Sequence, residues 1–105
     1  MMNLTRGEDF VIEVKLDTEP QELESLDVRV VQSGRCVLYR GKGDAVFDGA
    51  CACFAFPGSE TLRLRAGEPA FGQARSVSAD GAANSEVEEI CVLDTLAAGK
   101  EKPWN

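Results

Sequence analysis

The sequence predicts an all-β protein, an antiparallel immunoglobulin-like β-sandwich of about seven short strands. Apolar and polar residues alternate with a period of two in several segments, and turn residues follow at intervals of about eight to twelve residues. No segment keeps an apolar helical face. A chain of 105 residues fits one domain, which we place at residues 1–99, with a flexible C-terminal tail at 100–105. A partly open β-barrel is the alternative, because a list of strands does not fix how the sheets close.

The first half of the sequence predicts three strands. Residues 9–16 alternate, with Phe, Ile, Val and Leu on one side and mostly polar residues on the other, which is typical of a half-buried strand. The polar, proline-containing stretch 17–22 predicts a turn. Residues 26–30 and 35–40 alternate again on either side of Ser33-Gly34, so these two strands are expected to form a hairpin.

Two further segments in the middle of the chain have strand character. Residues 45–56 form an apolar run that Asp48-Gly49 divides, which predicts a bulged strand or two short strands. Residues 61–65 alternate leucine and arginine after a Pro-Gly-Ser turn, which predicts another strand.

The strongest local signal is a hairpin in the last third of the chain. Residues 70–78 and 85–93 resemble strands, and Asp80-Gly81 lies between them. Asp-Gly favours tight hairpin turns, because glycine accepts the positive φ that these turns require. From the inward phase of all the strands, we predict this core: Phe10, Ile12, Val14, Val28, Val30, Leu38, Phe47, Phe54, Leu62, Leu64, Val77, Ile90 and Val92.

The charge distribution excludes some classes of partner. Eighteen acidic residues against eleven basic ones give a net charge of -7, so the chain repels a phosphate backbone and no nucleic-acid partner is expected. Acids outnumber bases at both ends, whereas bases outnumber acids in residues 28–75, a pattern that favours contacts between copies. No apolar run is long enough to cross a membrane, and the first residues do not resemble a signal peptide. We therefore expect no membrane association and no secretion by that route.

The sequence has no histidine, which removes the commonest general base and the commonest metal ligand. Its four cysteines are Cys36, Cys51, Cys53 and Cys91. We expect reduced, mostly buried thiols, with a four-thiolate metal site or a structural disulfide as alternatives. The adjacent carboxylates Glu88 and Glu89 lie on a predicted strand and would point to opposite faces. We therefore predict no enzyme activity, catalytic residue, cofactor or metal site.

Several motifs together resemble a known family. An opening strand of the G-[DE]-x-F-x-[IL] type starts at Gly7, an L-x-L-x-A-G segment covers 62–67, and Gln73 and Arg75 lead into the Asp-Gly hairpin. The order of these motifs resembles that in a family of small β-sandwich structural proteins of phages and prophages of gut bacteria. In outline those proteins are similar to the N-terminal domain of siphophage upper baseplate proteins. The resemblance covers residues 4–99.

The resemblance implies a structural or assembly role in a virion, without enzyme activity or cofactor. It further implies that the protein is in the host cytoplasm during assembly and then in the virion. Its partners would be other copies, in a homo-oligomer, or other virion proteins. The candidate interface residues are Trp104, a frequent interface anchor, with Arg63, Arg65, Arg75 and Tyr39. The alternative is a carbohydrate-binding or adhesin-type module that uses Tyr39 and Trp104 as stacking platforms.

Overall fold

A computed structural model describes residues 2–94, which form two β-sheets that enclose one apolar core. The tail predicted at 100–105 lies outside the described residues. The strands are β1 (Met2–Thr5), β2 (Phe10–Lys15), β3 (Leu23–Gln32), β4 (Arg35–Gly41), β5 (Val46–Asp48), β6 (Cys51–Phe56), β7 (Ala70–Ser78), β8 (Gly81–Asn84) and β9 (Glu88–Leu93). One short α-helix, α1 (Gly58–Thr61), and 3-10 turns at Pro20–Glu22 and Lys42–Asp44 complete the described elements.

The sheet topology confirms the predicted immunoglobulin-like sandwich. The larger sheet has the strand order β1-β9-β7-β3-β4, with β8 also paired to β7, and the smaller has the order β2-β6-β5. All pairs are antiparallel except β1 with β9. Because the described strands divide between two sheets, the barrel alternative is not adopted. They number nine rather than about seven: β1 and two divided strands add three, and the strand predicted at 61–65 is absent from the described residues.

The predicted central hairpin is present as β3 and β4. Ser33 and Gly34 connect the two strands with φ values of 54° and 75°. Two successive positive φ values are typical of the turn type whose twist matches that of the flanking strands. The sequence therefore places this hairpin correctly, although β3 is longer than expected.

The Asp-Gly hairpin is also present, with an interrupted return strand. β7 pairs with β8 and then with β9, so the return begins at Gly81, earlier than the predicted residue 85. At the interruption, Ser85 Oγ accepts a hydrogen bond from the Ala74 N–H (2.9 Å), and the Ser85 N–H donates to the Ala74 carbonyl (2.9 Å). The serine therefore continues the contact with β7 where the strand register shifts.

The prediction of a strand at 61–65 is wrong. Helix α1 and a tight turn occupy this region, and Leu62 is 44% exposed instead of lying in the core, while Leu64 is buried. Thr61 Oγ1 accepts a hydrogen bond from the Gly7 N–H (3.0 Å) and donates to the Glu8 carbonyl (3.0 Å). These tertiary bonds hold the turn against the β1–β2 connection, so the leucine–arginine alternation does not lead to strand pairing.

The core lies between the sheets and contains most of the predicted residues. Seven of them are buried: Val28, Val30, Leu38, Phe54, Leu64, Ile90 and Val92. Others are only partly buried: Phe10, Ile12, Val14, Phe47 and Val77. The prediction missed these buried residues: Leu4, Leu23, Leu26, Ala52, Phe56, Ala70 and Ala74. The three alanines were missed because the prediction selected large apolar side chains.

A buried glutamine fixes the loop that follows α1. Gln32 is 4% exposed, and its Nε2 donates to the carbonyls of Arg65 (2.8 Å) and Glu68 (3.0 Å). Its Oε1 accepts from the Arg65 N–H (2.7 Å). The three bonds satisfy a buried amide and set the position of the loop.

Within residues 2–94, no helix has the length and apolar character that a membrane span needs.

Candidate functional site: the outer face of the large sheet

The side of the large sheet that faces away from the core carries exposed apolar side chains. Tyr39, Phe71 and Val87 are 51%, 41% and 58% exposed, and they belong to β4, to β7 and to the segment before β9. A shallow depression of about 340 Å³ lies beside Phe71 and Val87. We name this surface the outer face and define it by Asp27, Arg29, Val31, Tyr39, Phe71, Arg75 and Val87.

Charges of both signs lie among the apolar groups of the outer face. Arg29 Nε is 3.6 Å from Asp27 Oδ1, and the Arg29 guanidinium lies 5.9 Å from the centre of the Tyr39 ring. Arg75 is the cross-strand neighbour of Asp27 on β7. Since the side chain of Arg29 is 57% exposed, its ion pair contributes little stability, and the guanidinium remains accessible to a partner.

The structure separates the predicted interface residues into two groups. Tyr39 and Arg75 lie on the outer face, whereas Arg63 and Arg65 lie on the loop after α1, beside the turn between β3 and β4. Arg65 Nη1 is 3.8 Å from Glu68 Oε1, and its side chain is 75% exposed. Trp104 lies outside the described residues. Within residues 2–94, the predicted set therefore lies at two places in the fold.

Sequence reasoning missed Phe71 and Val87. The inward positions of β7 next to Phe71 are Ala70, Gly72 and Ala74, all buried, so phenylalanine occupies the outward phase. A strand whose small residues face inward and whose aromatic residue faces outward is a readable signal for an apolar surface. Val87 carries no such signal, because it lies in the irregular segment between β8 and β9.

A partly buried ion pair connects β4 to α1. Arg40 Nη1 donates to Glu60 Oε1 (3.0 Å), Nη2 donates to Glu60 Oε2, and Nε donates to the Ala55 carbonyl (3.2 Å). The Arg40 guanidinium also lies 4.7 Å from the centre of the Phe56 ring. The hydrogen bonds from Arg40 lower the pKa of Glu60, and those same bonds raise the pKa of Arg40. Because each charge satisfies the other, this arrangement indicates a stabilising role.

The cysteines are more exposed than predicted. Cys36 is exposed and Cys51, Cys53 and Cys91 are half-exposed, and all four are free thiols. On β6, alternation places Ala52, Phe54 and Phe56 inward, so Cys51 and Cys53 face outward. The pKa of the Cys53 thiol is raised, which disfavours its thiolate. Partial desolvation is the larger cause, and the nearby Glu13 carboxylate is the next. Residues 2–94 contain no group of three or more Cys, Asp or Glu side chains placed to hold a metal ion.

Comparison with known proteins shows similarity at the level of the fold. No family model matches the sequence, and no curated protein matches it significantly.

Among solved structures, CopC from Methylosinus trichosporium OB3b matches 89% of this chain and 83% of its own, with 15% identity and a TM-score of 0.56. A glycoside hydrolase candidate from Bacteroides vulgatus ATCC 8482 matches 95% of this chain with 15% identity and a TM-score of 0.59, but the match spans only 17% of that protein. Murine CRIg matches 90% of this chain and 91% of its own, with 10% identity and a TM-score of 0.47. The two matches with TM-scores above 0.5 show a shared fold, and at 15% identity they assign no activity.

Proposed function

We propose that the protein is a non-enzymatic structural or assembly module of a phage or prophage, and that it acts through protein–protein contacts in a virion. The sequence motifs that resemble small phage β-sandwich proteins support the virion setting. The observation that carries the contact function is the outer face, where Tyr39, Phe71 and Val87 are all more than 40% exposed. Exposed aromatic and aliphatic groups among charged residues are typical of protein interfaces.

The partner that best fits the outer face is a second copy of the chain. The face carries Arg29 and Arg75 together with Asp27, so it contains both members of a charge pair. In a two-fold arrangement the same patch meets itself, and each arginine can approach the aspartate of the other copy. The apolar groups would then form the centre of the contact, and these charges its polar rim.

Light scattering behind a sizing column tests this contact, with the full chain in reducing buffer over a range of concentrations. We expect a defined multimer, and the outer-face variant Phe71→Asp should self-associate more weakly than the wild type. The control is Val46→Asp, which adds the same charge at a 69% exposed valine on β5 of the other sheet and should leave the multimer unchanged. Far-UV circular dichroism checks that both variants fold. A monomer at every wild-type concentration would contradict self-association. A Phe71→Asp multimer like the wild type would contradict the outer face as its contact.

Mass spectrometry of purified particles tests the virion setting. A host strain that carries the gene is induced, and particles are separated from free protein by density gradient. We expect peptides of this chain in the particle fraction at a fixed ratio to a major capsid protein. Their absence from both mature particles and assembly intermediates would contradict the phage role but would leave the contact function open to its own test.

A carbohydrate-binding or adhesin-type role is the second candidate. It draws on the exposed ring of Tyr39 and on the fold similarity to a segment of a glycoside hydrolase candidate. Aromatic rings at exposed positions can stack on sugars, although the Arg29 guanidinium lies close to this one. A glycan panel followed by amide chemical shifts tests this role. Shifts at residue 39 and its neighbours that Tyr39→Ala abolishes would support it, and silence over the panel would count against it.

A further inference from the structure

Strand β2 has a free edge beside an open groove. Within residues 2–94 it pairs only with β6. The Leu16 N–H donates to the Ala50 carbonyl (2.7 Å), so the even-numbered residues of β2 exchange backbone hydrogen bonds with β6. The N–H and C=O groups of Val11, Glu13 and Lys15 therefore point away from β6. A row of such groups is a template for pairing with another strand.

The core is incompletely covered along this edge. The inward side chains of Phe10, Ile12 and Val14 on β2 remain half-buried. Their neighbours Phe54 and Phe56 on β6, in the middle of the small sheet, are 0% exposed. Another strand beside β2 would remove the remaining apolar surface of β2 from water, which is favourable by about 25 cal/mol per Å².

The groove beside β2 has an apolar floor and an acidic rim. It has a volume of about 650 Å³ and opens between β2 and the strands β7 and β9 of the large sheet. Its larger apolar side chains are Met2, Val11, Ile12, Val14, Val28 and Ile90. Glu13, Glu86 and Glu88 line it, against the single base Lys15. A suitable occupant is therefore an extended segment with apolar residues followed by basic ones.

We propose that residues 95–102 of a second copy occupy this groove and add as a strand to β2. This segment contains Leu96, Ala97 and Ala98, followed by Lys100, Glu101 and Lys102. Its apolar part complements the floor of the groove, and its net positive charge complements the acidic rim. β2 has six residues, and eight residues at about 3.3 Å each are long enough to lie along it. The inference rests on the proposed contact function and names a second contact for it, distinct from the outer face.

The connection between β1 and β2 lies between the end of β9 and the edge of β2, which favours a second copy. The loop 6–9 joins β1 to β2 at the end of the sandwich where β9 ends. Within that loop the Arg6 N–H donates to the Leu93 carbonyl (2.8 Å), and Arg6 Nη1 donates to Asp94 Oδ1 (3.2 Å). A segment that continues from Asp94 would have to pass around this fixed loop to reach the edge of its own β2.

A charge exchange between two full-length variants tests the proposal. Glu86→Lys with Glu88→Lys makes the rim basic, and Lys100→Glu with Lys102→Glu makes the segment acidic. We expect each double variant alone to self-associate at least about tenfold more weakly than the wild type. An equimolar mixture should recover association, because the basic rim of one variant then meets the acidic segment of the other. Sedimentation velocity measures all three samples, with the outer-face variant Phe71→Asp alongside.

Hydrogen exchange locates the contact. In associated wild-type protein, the amides of Val11, Glu13 and Lys15 should exchange at least about tenfold more slowly than in the Lys100→Glu/Lys102→Glu variant. One outcome would overturn the strand addition and leave the outer-face contact standing. In it, Phe71→Asp removes self-association, the charge variants associate as strongly as the wild type, and the exchange rates of these three amides do not change. Weakened charge variants whose mixture shows no recovery would overturn the second copy as the source of the segment. A wild type that stays monomeric would overturn both contacts.

Discussion

Replacing Gln32 with leucine should destabilise the native state strongly, because the side chain joins β3 to the loop after α1. The residue is 4% exposed and makes three hydrogen bonds, all with backbone groups of Arg65 and Glu68. Leucine has a similar volume, so the substitution removes the bonds and opens little cavity. It leaves the carbonyls of both loop residues and the N–H of Arg65 without these partners.

The magnitude follows from the number of bonds. A typical hydrogen bond contributes about 1 kcal/mol net, and a buried group left without its partner costs about 1–3 kcal/mol. Three bonds therefore correspond to about 3 kcal/mol. The gain from burying leucine in place of an amide offsets part of this, so we expect a loss of about 2–3 kcal/mol in the free energy of unfolding.

Urea denaturation followed by far-UV circular dichroism measures this loss, with Gln21→Leu as the control at an exposed glutamine in the 3-10 turn before β3. The control should stay within about 0.5 kcal/mol of the wild type. Hydrogen exchange adds a local readout, since the Arg65 amide should lose its protection in Gln32→Leu. A loss below about 1 kcal/mol, with the Arg65 amide still protected, would refute the reasoning that these bonds fix the loop.

Two further perturbations have expected outcomes. Arg40 lowers the pKa of Glu60 below its ordinary value of 4.5, so the pair stabilises the native state above that pH and the contribution is lost as pH falls through the lowered pKa. The difference in unfolding free energy between wild type and Glu60→Gln should therefore narrow in urea titrations as the pH falls below 4.5, whereas a constant difference would argue against the pair. A Cβ at Gly58 would overlap the Gly7 carbonyl oxygen and lie 2.7 Å from its carbon, so Gly58→Ala should cost about 1–3 kcal/mol. Thermal melts measure this cost, with Gly43→Ala as the control, which should be nearly neutral because a Cβ at Gly43 meets no atom within 4 Å. Equal effects at both positions would disprove the clash.

Local alternation predicted the strands whose partners are near in sequence. The β3–β4 and β7–β8 hairpins have turn residues that accept positive φ at Gly34 and Gly81, so neighbouring residues alone determine them. β1 passed unrecognised because its four residues pair in parallel with β9, about ninety positions further along the chain. The leucine–arginine alternation at 61–65 was misleading because Thr61 Oγ1, which accepts from the Gly7 N–H and donates to the Glu8 carbonyl, stabilises a turn there.

The candidate site was likewise predictable in residue type but not in the spatial arrangement of its residues. Tyr39 and Arg75 were identifiable from residue type, but their position beside Phe71 and Val87 depends on which strands are neighbours. Strand order arises from packing between segments distant in sequence, so a list of strands does not contain it.

The sequence by itself determined the β-sandwich class, the acidic charge and the absence of histidine chemistry, because these follow from composition and from a side-chain period of two. Only the tertiary structure decided that, among residues 2–94, β2 pairs on one side, that its inward side chains remain half-buried, and that an acidic groove opens beside it. The physical reason is that edges and grooves exist only between packed elements. The residues of β2 would show the same alternation whether a neighbouring strand covered them or water did.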